Sequence, residues 1–138
     1  MTTRTLLPIV SALRATSLFS DTETVTLEVI LCDRTKNGDE VPAVDFATWT
    51  GLVARALCEI AGGCSSTPGT GYWVRRTDGQ LLRDDTVTLR AVAPRSTLLA
   101  NITRLRSVLV QYGRECEQEA VAISLNGELY LIDPAKAY

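Results

Sequence analysis

The apolar residues of this chain repeat alternately at two-residue and at three-to-four-residue spacing, and the order of these patterns limits the fold more than any other feature. Thr24 to Cys32 alternates, with Val25, Leu27, Val29 and Leu31 on one side and Thr24, Thr26, Glu28 and Ile30 on the other, as a half-buried strand does. After a polar loop over 33–44, Phe46, Trp49, Val53, Leu57 and Ile60 recur at helical spacing, with Asp45 as the expected N-cap and Gly62-Gly63 as the stop. Gly71 to Arg76 reads as a strand after a short loop, SSTPGT, and Thr77-Asp78-Gly79 turns the chain. Thr86 to Val92 alternates again, and residues 80–85 either prolong a strand or form loop. Leu98, Ile102, Leu105, Leu109 and Tyr112 then mark a second helix, capped at Ser96 or Thr97 and ending at Gly113 or running on to Gln118. Val121 to Leu125 and Glu128 to Ile132 flank Asn126-Gly127, a strong hairpin signal.

Strand, helix, two strands, helix and strand predict a ferredoxin-like β-α-β-β-α-β sandwich, an α+β fold with two helices on one face of a mainly antiparallel sheet. A C-terminal hairpin and an N-terminal segment extend it. The expected division is an N-terminal helical segment or arm over 1–23, the α+β domain over 24–132 and a tail over 133–138. In the first segment Leu6, Ile9, Val10, Leu13 and Leu18 fall near one helical face. Its two Arg and many Ser/Thr loosely match a transit peptide, so a cytoplasmic location is expected unless residues 1–20 act as an organellar or export address.

Composition removes several function classes. With 138 residues and 46% apolar content the chain can bury one core without staples. No apolar run approaches the roughly 20 residues of a membrane-spanning helix. There is no His, which excludes His-containing zinc sites, Ser-His-Asp and Cys-His arrangements and a histidine base. Cys32, Cys58, Cys64 and Cys116 form no C-x-x-C pair; free thiols are expected, with neither metal nor cofactor. Cys116 sits among acidic neighbours, which oppose thiolate formation. Residues 71–114 hold eight Arg against three Asp, whereas the rest holds six basic and thirteen acidic residues. That basic middle suits a small anion, but an isoelectric point of about 5.1 and the lack of a Lys/Arg run disfavour nucleic acid.

If the helices cover one face, the other carries Thr26 and Glu28, Thr88 and Arg90, and either Trp73 with Arg75 or Tyr72, Val74 and Arg76. Trp73, Arg75, Arg90 and Glu28 are therefore the expected ligand-binding set. The glycines of GCSSTPGTGYW lack the Lys and the spacing of a phosphate loop, though the backbone N–H groups of this loop would suit an anion.

Gly71-x-Trp73, then Asp78-Gly79-x-Leu81, and finally Gln118-Glu-Ala-Val121 together resemble a bacterial family of small uncharacterised ferredoxin-like domains. The resemblance implies that fold over roughly 25–123 and no activity. The expected function is a self-associating, non-catalytic binding module that captures a small anionic ligand or a protein partner. The alternatives are a cofactor-free isomerase or small monooxygenase with Glu28 or Glu119 as base, and a structural subunit of a larger complex.

Overall fold

A computed structural model describes the backbone of residues 3–5 and the whole of residues 23–136. Its elements are β1 (Thr3–Thr5), β2 (Thr24–Cys32), α1 (Ala43–Ala61), β3 (Ser65–Val74), β4 (Leu81–Pro94), α2 (Arg95–Glu115), β5 (Val121–Leu125) and β6 (Glu128–Ile132). They form one sheet in the order β1-β6-β5-β2-β4-β3. Five strands pair antiparallel, and β1 joins β6 in parallel. The inner order β5-β2-β4-β3 with two helices is the ferredoxin-like α+β arrangement expected.

Strand parity divides the sheet. Leu27 pairs with Ala91 and Leu125, and Val29 with Leu89 and Ile123, placing these residues under the helices. Val53, Leu57 and Ile60 of α1 and Leu98, Leu105 and Leu109 of α2 join them in one buried cluster. Phe46 and Trp49 pack only at its margin. Residues of the other parity, Glu28 with Arg90 and Ser124, and Ile30 with Thr88 and Ala122, line the open face.

Several boundaries differ from those expected. SSTPGT is not a loop: β3 starts at Ser65 and pairs along β4 from Arg90 down to Leu81. As the outermost strand it tolerates Pro68, Gly69 and Gly71, residues that read as a break in the sequence. β4 likewise starts at Leu81 and continues to Pro94. The caps are Pro42 and Pro94 rather than Asp45 and Ser96 or Thr97; Asp45 lies instead in the first turn of α1, where the helix dipole favours an acid. α2 runs through Gly113 to Glu115. The N-terminal segment shows strand at Thr3–Thr5, and the expected helical stretch from Leu6 to Leu18 lies outside the described residues.

Because β2 ends opposite Thr86, the β3–β4 hairpin projects five further residues on each strand. At about 3.4 Å per residue this overhang is roughly 17 Å long.

A candidate ligand cleft on the open sheet face

At the root of the overhang the Asp33 N–H donates to the Asp85 carbonyl at 3.1 Å and the Asp85 N–H to Asp33 Oδ1 at 3.0 Å, and two further contacts fasten it. Arg75 donates to Asp78 at 3.0 and 2.5 Å, to Gln80 at 2.9 Å, and to the carbonyl of Asn37 at 2.9 Å in the loop after β2. The Asp78 carboxyl is held down to about 2, first by the Arg75 guanidinium and then by the Gln80 N–H. Arg76 reaches Glu119, just before β5, at 3.1 Å. These contacts tie the hairpin to the neighbouring loops, and an open cleft of about 540 Å³ lies beside the Arg76–Glu119 pair.

Ile30, Cys32, Thr86 and Leu131 form the cleft's strand-built surface, with Gly71 and Trp73 from β3 and Asp84 from β4 beside them. Asp84 is only 5% exposed, and its Oδ1 accepts a 2.9 Å hydrogen bond from the Trp73 indole N–H. Adjacent Asp85 is exposed, as alternation requires. Burial, followed by the charge of Asp84, pushes the Cys32 thiol up to about 12. Thr86 occupies space that side chains on β3 would contest: a Cβ on Gly69 would lie 2.9 Å from its Oγ1, and one on Gly71 3.3 Å from its Cγ2. Arg34, Lys36, Arg76 and Lys136 surround this floor together with Glu119 and Asp133.

The end of the helical layer supports the cleft from behind. Tyr112 is 1% exposed; its hydroxyl accepts from the Cys32 N–H at 2.8 Å and donates to the Cys32 carbonyl at 3.0 Å. The Gln118 amide donates to the Arg34 carbonyl at 2.7 Å, tying the two cleft loops together. Cys116, 2% exposed, is pushed up to about 11 by burial and then by Asp45 and Glu115, and so is a poor nucleophile.

The four residues singled out from the sequence share the open face without forming one cluster. Trp73 enters the cleft. Arg75 has Trp73's parity, but its guanidinium is consumed by the hairpin turn and the Asn37 carbonyl. Glu28 and Arg90 sit opposite each other, 3.9 Å apart and both part-exposed. Leu82, the partner of Trp73, lies eight residues from Arg90 on β4, or about 27 Å along the strand. Asp84, Cys32 and Thr86 were missed. Continuing the β2 alternation through Ile30 adds Cys32, the alternation from Thr86 to Val92 already puts Thr86 on the face of Arg90, and a β4 beginning at Leu81 adds Asp84 to it.

No family model matches the sequence, and no curated protein matches it either. Among solved structures it resembles a phage SAM lyase in complex with S-methyl-5'-thioadenosine, at 14% identity over 83% of this chain and 92% of that one, with a TM-score of 0.59. A phage SAM lyase in the apo state gives 14% identity over 83% and 91%, with a TM-score of 0.52. A Bacillus cereus protein related to NIF3 gives 20% identity over 75% of this chain and 25% of that one, with a TM-score of 0.50. At these identities the likeness is one of fold.

Proposed function

We propose that the protein binds a small nucleoside-type ligand, carrying or adjoining an anionic group, in the cleft under the β3–β4 overhang. The observation that carries this reading is the buried Asp84 carboxylate, fixed by Trp73 beside an apolar floor in a cleft of small-molecule size. A carboxylate accepts several hydrogen bonds, so Asp84 has capacity for ligand hydroxyl groups beyond its bond to Trp73. Ile30 and Leu131 offer apolar contact to a flat ring, and Arg34, Lys36 and Lys136 offer charge to an anion. The fold likeness to a lyase that holds S-methyl-5'-thioadenosine supports this ligand class. Copies of the chain associate, in this reading, through the β3 edge, whose ten residues carry no charge to discourage pairing.

A second reading, a cofactor-free enzyme, draws on Glu119, the carboxylate paired with Arg76 at the cleft. Native mass spectrometry with S-methyl-5'-thioadenosine, read together with calorimetric titration, tests both the ligand and the assembly. The expected result is one ligand per chain in a defined oligomer, with affinity at least tenfold weaker in Trp73→Ala and Asp84→Asn, or about 1.4 kcal/mol. A monomer with no retained mass and no heat would overturn the proposal. Consumption of SAM by the wild type but not by Glu119→Gln, with binding intact in both, would move the assignment to the enzyme.

A further inference from the structure

Away from the cleft, at the junction of α1 and β3, two thiols face each other. The Sγ atoms of Cys58 and Cys64 are 3.7 Å apart. Cys58 is exposed in the last turn of α1, and Cys64 is half-buried immediately before β3, its thiol directed also at the Ala54 carbonyl at 3.8 Å. The chain between them is built to bend. Gly62 closes the helix in the left-handed region at φ 85°, donating to the Cys58 carbonyl at 2.7 Å, and neither Gly62 nor Gly63 has an atom within 4 Å of where a Cβ would sit. Joining the sulfurs at the usual 2.05 Å requires them to approach by about 1.7 Å.

We propose that Cys58 and Cys64 form a reversible redox site, oxidised to an intrachain disulfide by low-molecular-weight disulfides. Exposed Cys58, as thiolate, attacks one sulfur of the small disulfide and expels one thiolate, leaving a mixed disulfide on Cys58. Cys64, after losing its proton, then attacks the Cys58 sulfur and expels the second thiolate. Both departing thiolates take up protons. The protein loses two protons and two electrons, and the small disulfide becomes two thiols. Burial raises the Cys64 thiol, and so does the neighbouring Cys58. These effects make it the slower thiol and assign it the resolving role. The closed bridge fastens the end of α1 to the start of the edge strand, a junction that otherwise hinges on two glycines. The cleft's own Cys32 and the core's Cys116 take no part, being covered from solvent to a greater degree than Cys58.

The test uses the full chain with oxidised glutathione at pH 8, followed by alkylation in denaturant, intact mass and tryptic mapping. Both cysteines lie in the tryptic peptide 56–75, since cleavage follows Arg55 and Arg75. The expected outcome is two alkylations per chain instead of four, with that peptide two hydrogens lighter and unlabelled until reduced. Cys64→Ser should instead accumulate one glutathione on Cys58. A mixed disulfide that persists on Cys58 in the unaltered chain, a bridge to a second chain, or four free thiols after treatment would each overturn the proposal.

Discussion

The two faces of the sheet are made by alternate residues of the same strands, yet they are held by different physics. Under the helices, Val29, Leu57, Leu98, Leu105 and Leu109 are fully removed from water, and apolar burial at about 25 cal/mol per Å² supplies the stability. On the open face Glu28, Ile30, Thr88 and Arg90 are only part-covered, and polar groups either pair across strands or line the cleft. One face specifies the fold, and the other carries the cleft. Tyr112 is where they meet, because its ring lies in the helical layer while its hydroxyl fixes the end of β2 beneath the cleft.

This contrast predicts a large effect on the covered face. Leu105→Ala removes a fully buried side chain from the middle of α2 and should cost about 2–5 kcal/mol in urea-unfolding free energy. Ligand affinity, measured under conditions where the variant stays folded, should be nearly unchanged. A loss below about 1 kcal/mol would mean that α2 is not packed on the sheet as described.

A second test sits at the boundary between the faces. Cys32 and Cys116 ionise in the native state near 12 and 11, above the ordinary 9.0. Unfolded thiols therefore release protons first as pH rises, and ionisation then favours the unfolded state. Their contribution is present in full below about pH 9 and is lost as pH rises through 9 toward 11–12. The urea midpoint should accordingly fall across that window. Asp84→Asn removes a charge that raises the Cys32 thiol but leaves burial, the larger cause, in place. Alkylation of Cys32 at pH 9 should then quicken several-fold while remaining slower than that of Cys58. An unchanged rate would show that Asp84 does not act on Cys32.

The covered face was legible in the sequence because burial imposes periodicity. Val25-Leu27-Val29-Leu31 and Leu98-Ile102-Leu105-Leu109 could be read from spacing alone, and with them the fold. The cleft left weaker signals. The strand that carries its β3 wall opens with Ser, Thr, Pro and Gly over 65–70, a composition that reads as loop, and this half becomes strand because β4 offers a partner along its whole length. That tertiary pairing outweighs local preference, as it commonly does in strands. Thr86 shares the parity of Thr88 and Arg90 within the stretch that alternates from 86 to 92, but with 80–85 readable as strand or loop, the parity that Asp84 shares with them stays hidden. Arg75 shows the opposite failure: parity placed it on the open face, but nothing in its spacing revealed that Asn37, thirty-eight residues earlier, would engage its guanidinium.

The smallest expected effect concerns the pair at the centre of the open face. Glu28 and Arg90 are cross-strand neighbours, and their charges lie 3.9 Å apart with both side chains about half exposed. An exposed ion pair of this kind is worth about 0–1 kcal/mol, because water and salt screen the attraction and two long side chains must be ordered to make it. Arg90→Ala should therefore change the unfolding free energy by less than about 1 kcal/mol, and the difference should shrink at 0.5 M NaCl. It should leave nucleoside binding unaltered, since Arg90 stands far along β4 from Trp73. If Arg90→Ala weakened binding as strongly as Asp84→Asn, the ligand would have to span the sheet. The functional surface would then be the whole open face rather than the cleft under the overhang.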